Sequence, residues 1–365
     1  MKIFQGLGTF TLSALVITGL IVTPSASGNP GAIKIAIESI DTPNVQVMGG
    51  RGAALARLSD GRLLLGGGNN GFSLYLYDLA TEDELLIGRV ANQRERLQDS
   101  RFAVTDIAVL SQSAKGAQLL ISYPQYSKSK NCVSVVAYSY QMRLTDKSKP
   151  CVPVAAIQHA AGRMAVIDKS SAYLTIGDLG FPQINQPAAR GDLGSVFKIS
   201  AKQVEKISQG HRNQQGILLI GSDLYTSEHG PRGGDELNLI EAGKDFGWPA
   251  VTYGQPYSAG DYVKPTKTGT HEGYEKPLYN WVPSVAPTEL VQLPLGSQWG
   301  PWAGQIVMGT LAEQALIFIE LTGQTKVGQV LSLDVGERIR DLDVGIDGSL
   351  IATTDSGQLL IINRE

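Results

Sequence analysis

Hydrophobic positions along the chain fall into short runs, and a polar turn precedes many of these runs. Turns of the Asp-Gly type occur at residues 59–61, 168–170, 222–223 and 347–348, each followed by an apolar run and then by Gly, Thr or Ser. Long stretches with helical periodicity are scarce, so the pattern is typical of short strands joined by tight turns. The chain is therefore predicted to be all-β, with the repeated turn and strand of propeller blades.

The scarcity of long amphipathic helices excludes a doubly wound α/β sheet as the main fold. A parallel β-helix or a pair of β-sandwiches are the alternatives, because the repeats are too divergent for blades to be counted. The 365 residues, of which 42% are hydrophobic and 18% charged, suit one large β domain or two smaller ones. The formal net charge is −3 and no basic stripe is visible, which argues against a nucleic-acid partner.

Residues 1–27 resemble a signal peptide in composition. Lys2 supplies a minimal positive region, residues 10–22 are apolar, and residues 25–27 are small, as a cleavage site requires. A membrane anchor is the alternative, but the apolar run is short and no basic cluster follows it. We expect an exported protein, periplasmic or secreted, with no membrane span after leader removal and a single domain over residues 28–365.

The chain has two cysteines, Cys132 and Cys151, which flank a strand-like run and a polar turn. An exported protein meets an oxidising compartment, so a disulfide between them is predicted. A metal site would need more thiols or nearby histidines, which the sequence does not place here. Two unpaired thiols are the remaining alternative.

The polar loop near residue 230 is the strongest candidate for chemistry. Gly230 and Pro231 restrict the backbone, so their carbonyl oxygens can point in a fixed direction. With the carboxylates of Asp235 and Glu236 they would offer the hard oxygen ligands that Ca²⁺ prefers. Arg212, together with Asn213, suits a planar anionic partner. The alternative is a polar turn held by its own Arg–Asp pairs.

Two arginines near the C-terminus form a second candidate. Arg338 and Arg340 are separated by one residue, so in a strand they lie on one face. Two guanidinium groups on one face repel each other and favour a bound anion. The alternative is a solvated strand edge, where basic residues oppose aggregation.

Three runs resemble, in order and spacing, the signature of the glucose/sorbosone dehydrogenase family. They are HRNQQG at residues 211–216, EHGPRGGDELNLI at residues 228–240 and GKDFGWPAVTYG at residues 243–254. Members of that family are soluble quinoproteins that use pyrroloquinoline quinone (PQQ) and calcium. The resemblance implies a six-bladed β-propeller that oxidises an aldose at C1 to the lactone and passes the electrons to an external acceptor. It leaves open whether the protein is a monomer or a homodimer.

The resemblance also implies roles for individual residues. His159 lies in a segment similar to the family's His-x-x-Gly-Arg, which contributes to the quinone site, and the Arg338–Arg340 segment is similar to one that places arginines near the cofactor. The family's reaction needs a general base, and the resemblance places that histidine in a stretch where this chain has Leu110. His159, His229 and Asp106 are therefore the candidate bases.

Leucine cannot accept a proton, so a non-enzymatic reading stays open. In it the chain is a non-catalytic, calcium-stabilised propeller that binds a glycan or a protein. A calcium-dependent hydrolase of the lactonase type is a third possibility, but it needs a cluster of Asp, Asn and Glu around one metal, which the sequence does not reveal.

Overall fold

The computed structural model describes residues 15–18, 33–91, 101–114, 116–139, 142–146, 151–153, 158–258, 260 and 262–365. Nearly all regular structure in these ranges is β-strand, as the turns and apolar runs predict. Helical structure is limited there to α1 (Pro187–Arg190) and a 3₁₀ turn (Gly300–Trp302). No helix within these ranges is both long and apolar enough to span a membrane.

The first two strands belong to the blade that the end of the chain builds. They are β1 (Leu15–Thr18) and β2 (Ile35–Asp41), which pair antiparallel. The predicted leader, residues 1–27, includes β1, but its residues 1–14 and 19–27 lie outside the described part of the chain. The leader therefore stays a prediction.

The next strands form three consecutive antiparallel sheets, blades 1 to 3. Blade 1 consists of β3 (Ala54–Arg57), β4 (Leu63–Gly67), β5 (Ser73–Tyr77) and β6 (Glu84–Arg89). Blade 2 consists of β7 (Asp106–Ser113), β8 (Gly116–Ser127), β9 (Cys132–Ser139) and β10 (Met142–Asp146), with β11 (Val152–Pro153) beside β9. Blade 3 consists of β12 (Ala161–Asp168), β13 (Ser171–Ile176), β14 (Ser195–Ser200) and β15 (Val204–Gln209).

Blades 4 to 6 follow in the same way. Blade 4 consists of β16 (Gln214–Ile220), β17 (Asp223–Glu228), β18 (Asp235–Ile240) and β21 (Tyr279–Trp281), and its long connection holds a parallel pair, β19 (Val251–Thr252) and β20 (Lys267–Thr268). Blade 5 consists of β22 (Pro287–Gln292), β23 (Ile306–Thr310), β24 (Ala315–Leu321) and β25 (Val327–Asp334). Blade 6 consists of β26 (Ile339–Val344), β27 (Leu350–Thr354), β28 (Gln358–Arg364) and the N-terminal β2.

The ring of blades closes through the two ends of the chain. Strand β2 pairs antiparallel with β28, from Ile35 opposite Arg364 to Asp41 opposite Gln358. The innermost strands β3, β7, β12, β16, β22 and β26 pack against one another in that order, and β26 packs against β3. Closure leaves no open edge at the centre of the ring. The prediction of an all-β, six-bladed β-propeller is confirmed, and the β-helix and sandwich alternatives are excluded.

Apolar side chains between neighbouring blades form the core. The second strands β4, β23 and β27 are buried along their whole length, because another blade covers each face of these sheets. This burial explains why the apolar runs in the sequence are short and continuous instead of alternating. Large, fully buried side chains such as Phe72, Trp299 and Phe318 belong to this core.

All six innermost strands begin at the same end of the central channel, since each blade repeats the same order of strands around the ring. We call this end the mouth. It is formed by the residues that precede or begin the innermost strands, and the loops that join second to third strands also lie there. The residues that lie one to three positions before the innermost strands include Arg51, Thr105, His159, Arg212, Ala286 and Arg338. Segments far apart in sequence therefore meet at one place.

The predicted disulfide is confirmed. Cys132 and Cys151 are bonded, with their Cα atoms 5.4 Å apart. Cys132 begins β9, and the short strand β11 that follows Cys151 pairs back onto it, with Val152 opposite Val133. The bond therefore ties the return of the chain to the third strand of blade 2.

Removing this disulfide should destabilise blade 2. Closing a loop with a sequence separation of 19 contributes roughly 3 kcal/mol through the entropy of the unfolded chain. The double variant Cys132→Ser/Cys151→Ser is expected to lose about that much free energy of unfolding in a urea titration. Wild-type protein in reductant is the matched control and should behave like the variant. If the oxidised wild type, the reduced wild type and the double variant all had the same free energy of unfolding, the expectation would be contradicted.

Candidate active site at the channel mouth

The loop between β17 and β18 places two backbone carbonyls at the mouth. This loop folds so tightly that a Cβ atom on Gly230 would lie 2.3 Å from the carbonyl oxygen of Gly234. Gly233 and Gly234 have φ values of 77° and 70°, a region that favours glycine. The backbone at Gly230 and Pro231 is thus held in one conformation, as the sequence predicts.

Asp235 holds this loop from behind. One of its carboxylate oxygens accepts a hydrogen bond from the Gly230 N–H at 3.0 Å. The other accepts hydrogen bonds from the Ser284 hydroxyl and from the N–H groups of Val285 and Ala286, at 2.6 to 2.9 Å. Asp235 is completely buried, and these four bonds occupy its oxygens. In the structure Asp235 stabilises the loop through these hydrogen bonds, whereas the sequence predicts that it binds the metal.

Glu236 is also turned toward protein groups. Its carboxylate lies 2.7 Å from Nε2 of His271, whose ring stacks on Tyr253. In the described part of the chain, no group of three or more His, Cys, Asp or Glu side chains is arranged to hold a metal ion. The carbonyl oxygens of Gly230 and Pro231 are therefore the loop's remaining candidates for calcium ligands.

These two carbonyls have partial protein partners. Arg212 donates from Nη1 to the carbonyl oxygen of Gly230 at 2.6 Å and to that of His229 at 3.1 Å. The hydroxyl of Tyr257 donates to the carbonyl oxygen of Pro231 at 3.2 Å. A carbonyl oxygen has two lone pairs, so each can accept a further contact. Two such oxygens fit a calcium ion only in part, because calcium needs six to eight oxygens. The others would come from a bound anion and water.

His159 and Asp178 form a hydrogen-bonded pair at the mouth. Nδ1 of His159 lies 2.8 Å from a carboxylate oxygen of Asp178. That carboxylate also accepts hydrogen bonds from the Gly180 N–H at 2.8 Å and the Trp248 indole N–H at 2.9 Å. Because Asp178 can only accept, Nδ1 of His159 carries the proton and Nε2 presents its lone pair. This is the arrangement of a general base with an orienting carboxylate.

Arg212 joins this pair to the carbonyl loop. Its Nη2 lies 3.2 Å from Nε2 of His159, while its Nη1 contacts the carbonyl oxygen of Gly230. The guanidinium lies over the Trp248 ring, with its central carbon 5.4 Å from the ring centroid. One cationic group therefore bridges the candidate base and the candidate calcium ligands, and Asn213 lies directly beside it in sequence.

The pKa values of both partners are lowered, for different reasons. Burial lowers the pKa of His159, and the positive charge of Arg212 lowers it further, although Asp178 acts against them. Burial alone would raise the pKa of Asp178, but His159 and Arg212 lower it below its usual value. The imidazole is therefore neutral at neutral pH, and Asp178 is charged, as a base and its orienting group must be.

The backbone at His159 is unusual. His159 and Ala161 both have φ of 54°, a region that residues with a side chain seldom adopt. Such conformations cost free energy, and they occur most often at functional sites. Here the conformation turns the chain just before β12, so that the imidazole meets Asp178 at the end of the neighbouring strand β13.

His229 and Asp106, the other two candidate bases, have different surroundings. Nε2 of His229 contacts the carbonyl oxygen of Pro287 at 2.7 Å, and burial lowers the pKa of His229 to about 4. Asp106 accepts hydrogen bonds from the N–H groups of Ile107 and Met164, so it ties β7 to β12. Neither residue pairs with an orienting group as His159 does.

Leu110, where the resemblance places the family's histidine, is not at the mouth. Strand β7 begins at the mouth with Asp106, and Leu110 lies four residues beyond it, about 13 Å along the strand. It packs against the core between blades. Leu110 therefore lies outside the mouth, and His159, His229 and Asp106 stay the candidate bases.

Arg338 and Arg340 both reach one carboxylate, Asp355, at the end of β27. Arg340 donates to it from Nε and Nη2, both at 2.9 Å, and Arg338 from Nε at 3.0 Å. The two arginines do share one face, as strand alternation predicts. Asp355, within the same blade, supplies an anion that balances their repulsion, and strand alternation alone does not predict this partner. A carboxylate at the end of the next strand was the available signal.

A second charged group fills the channel just below the mouth, and we call it the channel cluster. Arg163 lies 2.8 Å from Asp341 and 3.3 Å from Glu289, with Asp106 at 4.0 Å. All four are buried. Burial raises the pKa of Asp106 to about 7 and that of Glu289 well above its usual range, although Arg163 opposes both shifts. Asp106 therefore belongs to the packing of the channel.

A groove without these groups lies elsewhere. It has a volume of about 790 Å³, lies at the opposite end of the channel between blades 1 and 6, and is lined by the turns at residues 60–62, 78–82 and 345–349. It contains none of the predicted site residues. Convergent polar groups at the mouth outweigh the size of this groove as an indication of function.

Comparison with known proteins shows the family of the chain. The family model described as Glucose / Sorbosone dehydrogenase matches residues 53–361. The chain belongs to this family. The match includes five complete blades and most of blade 6, so the channel cluster and the mouth residues His159, Arg212 and Gly230 lie within it, while Arg51 precedes it.

Curated relatives share part of the chain. Aldose sugar dehydrogenase YliI of Escherichia coli is 35% identical over 178 residues, 47% of either chain. The uncharacterized protein slr1608 of Synechocystis is 31% identical over 231 residues, 56% of this chain and 55% of that protein. Quinoprotein glucose dehydrogenase B of Acinetobacter calcoaceticus is 27% identical over 150 residues, 31% of either chain. The chain therefore spans about half the length of these relatives or less.

Solved structures show the same fold. Soluble aldose sugar dehydrogenase from Escherichia coli, in its apo-form, superposes with a TM-score of 0.73 at 20% identity over 90% of this chain and 100% of that one. The PQQ-bound aldose sugar dehydrogenase from Streptomyces coelicolor superposes with a TM-score of 0.67 at 19% identity over 91% and 99% of the two chains.

Proposed function

We propose that this protein is an exported, PQQ- and calcium-dependent dehydrogenase that oxidises an aldose at C1 to the lactone. One observation carries the proposal: the His159–Asp178 pair contacts Arg212, and Arg212 contacts the carbonyl of Gly230. A proton acceptor, a cation and fixed carbonyl oxygens are thus within one connected group at the mouth. The family and the PQQ-bound structural relative support the choice of cofactor.

Five residues at the mouth would hold the cofactor. Arg212 and Asn213 come from blade 4, Arg338 and Arg340 from blade 6, and His159 from blade 3. Guanidinium groups suit a quinone that carries carboxylates. Gly230 and Pro231 would offer their carbonyl oxygens to calcium, with Asp235 and Glu236 fixing the loop behind them. The quinone would supply the hydride acceptor and calcium a positive charge beside it.

His159 would accept the proton of the substrate's C1 hydroxyl at Nε2. Asp178 would keep Nδ1 protonated and stabilise the imidazolium once it forms. Before substrate binds, Arg212 would donate to the lone pair of His159 Nε2 and so fix the direction of the ring. The C1 hydroxyl of the substrate would then take the place of Arg212 as the donor to Nε2. The pKa of His159 is lowered from 6.5, so its basic form prevails at and above that pH. Activity should fall as the pH decreases through this lowered pKa.

The non-catalytic reading loses its main support, because Leu110 is remote from the mouth. We therefore do not retain a calcium-stabilised binding propeller. The lactonase alternative lacks a metal-binding carboxylate cluster in the described residues. Export fits the Cys132–Cys151 disulfide, and the electrons would pass to an external acceptor.

Cofactor binding tests the proposal directly. The purified protein should bind PQQ in the presence of calcium with one site per chain, followed by the absorbance of the bound quinone. EDTA should weaken that binding if the carbonyl loop holds calcium, and magnesium should restore it poorly because it demands octahedral geometry. Absence of PQQ binding with calcium present would overturn the proposed function. If EDTA leaves the affinity for PQQ unchanged, the proposed dependence on calcium is overturned, but the proposed dependence on PQQ is not.

A further inference from the structure

The arginines of the mouth and channel differ in how they are paired. Arg338 and Arg340 contact Asp355, and Arg163 contacts Asp341 and Glu289. Arg51 is the exception. No hydrogen bond or ion pair joins its side chain to a residue that the structure describes, and its Nε is shielded from solvent without a partner. Buried donors are usually satisfied, so this one calls for an explanation.

Arg51 is located beside the other arginines. It lies just before β3, where its backbone bridges to Val47. The neighbouring Gly52 donates its N–H to Asp355 at 3.0 Å, and a Cβ atom at Gly52 would lie 2.8 Å from Cβ of Arg340. Blade 1 therefore brings Arg51 against the start of blade 6, at the mouth.

The electrostatic surroundings of Arg51 are unfavourable for a cation alone. Burial, and then repulsion from Arg340 and Arg163, lower the pKa of Arg51 to about 9, while Asp355 and Asp341 compensate only in part. Arg51 is half-buried, and a charge that is partly removed from water without a partner costs free energy. The arrangement becomes favourable when an anion contacts the guanidinium.

We propose that Arg51 binds a carboxylate of the molecule held in the mouth, an inference that rests on the proposed function. The guanidinium of Arg212 likewise contacts no carboxylate among the described residues, since it donates to backbone carbonyls and contacts His159. Blades 1 and 4 lie across the ring from each other, so Arg51 and Arg212 approach the mouth from opposite sides. The ligand therefore carries anionic groups at two separated positions. The carboxylate at Arg51 belongs either to the quinone or to an acidic sugar.

The test compares Arg51→Met with Arg62→Met. Arg62 is the matched control, because it lies in the same blade at the opposite end of the channel and pairs with Asp60. PQQ titration with calcium should show binding weakened about 10- to 100-fold by Arg51→Met, as for a lost hydrogen bond to a charged group. Arg62→Met should bind like wild type. Arg51→Lys should bind PQQ with an intermediate affinity, because lysine keeps the positive charge but cannot form the bidentate hydrogen bonds of a guanidinium.

Apo-protein stability separates binding from a structural role. Removing an unpaired, half-buried charge should leave the thermal midpoint of apo Arg51→Met equal to or above that of wild type. A lowered midpoint would overturn the inference, because it would make Arg51 a structural residue.

A substrate arm identifies the source of the carboxylate. If PQQ binding is unchanged, Arg51→Met should raise the KM for glucuronate about tenfold relative to that for glucose. Unchanged PQQ binding together with an unchanged KM ratio overturns the inference and leaves the proposed function intact. Failure of wild type itself to bind PQQ overturns the proposed function, and the inference with it.

Discussion

Replacing His159 with glutamine is expected to lower the turnover of the PQQ-loaded protein by about 10²- to 10⁴-fold, the usual contribution of a general base. Glutamine preserves a hydrogen-bonding side chain of similar reach but cannot accept the hydroxyl proton. PQQ binding should change far less than turnover, since Arg212 and the carbonyl loop remain. Steady-state kinetics with an aldose and a dye acceptor would give kcat and KM separately.

His229→Gln is the informative comparison for this variant. Its imidazole contacts a backbone carbonyl, which a glutamine amide can also do, so turnover should fall less than tenfold. Asp178→Asn removes the charge that holds the pKa of His159 up, so the midpoint of the pH–rate profile should move to lower pH and the plateau should drop. A larger loss in His229→Gln than in His159→Gln would show that the base is misassigned.

Replacing Arg163 with methionine should cost about 3–5 kcal/mol of unfolding free energy, the cost of breaking a buried charge network by removing one partner. Three buried carboxylates, Asp106, Glu289 and Asp341, would lose their shared cation. Denaturant unfolding of the apo-protein measures the effect. Arg62→Met is the control, because its exposed ion pair should contribute less than about 1 kcal/mol.

The stability that Arg163→Met loses should be larger at high pH than at low pH. Burial raises the folded-state pKa of Asp106 from 3.8 to about 7, so stability from its protonated form is present at low pH and is lost as pH rises through 7. Without Arg163 that pKa rises further. The deficit should therefore be larger at pH 8 than at pH 5, and Asp341→Asn should recover part of it. A deficit under about 1 kcal/mol at both pH values would contradict this account.

Local patterns in the sequence predict several features that the structure contains. Turn residues followed by apolar runs predict short strands, because tight turns and buried strands have strict residue preferences. The rigidity at Gly230 and Pro231 follows from their own backbone chemistry. The cysteines pair as their spacing and the expected oxidising compartment predict. The number of blades came only from the resemblance, since divergent repeats carry no count.

Contacts between blades were not predictable from these patterns. Arg163 and Asp341 meet only because the ring closes and brings distant segments into one channel. The partnership of His159 with Asp178 depends on the left-handed turn before β12, which no residue preference signals at a histidine. The distance of Leu110 from the mouth was not predictable either, because which residue of a strand lies at the mouth depends on tertiary packing.

The account's central claim is that the mouth oxidises an aldose with His159 as base and a bound quinone as acceptor. Anaerobic mixing of the PQQ- and calcium-loaded protein with glucose, or with a panel of other aldoses, tests it most directly. The account predicts bleaching of the bound-quinone absorbance by at least one aldose in wild type, slowed at least 100-fold in His159→Gln. A fully loaded wild-type protein that no aldose bleaches, or a His159→Gln variant that bleaches at the wild-type rate, would contradict it.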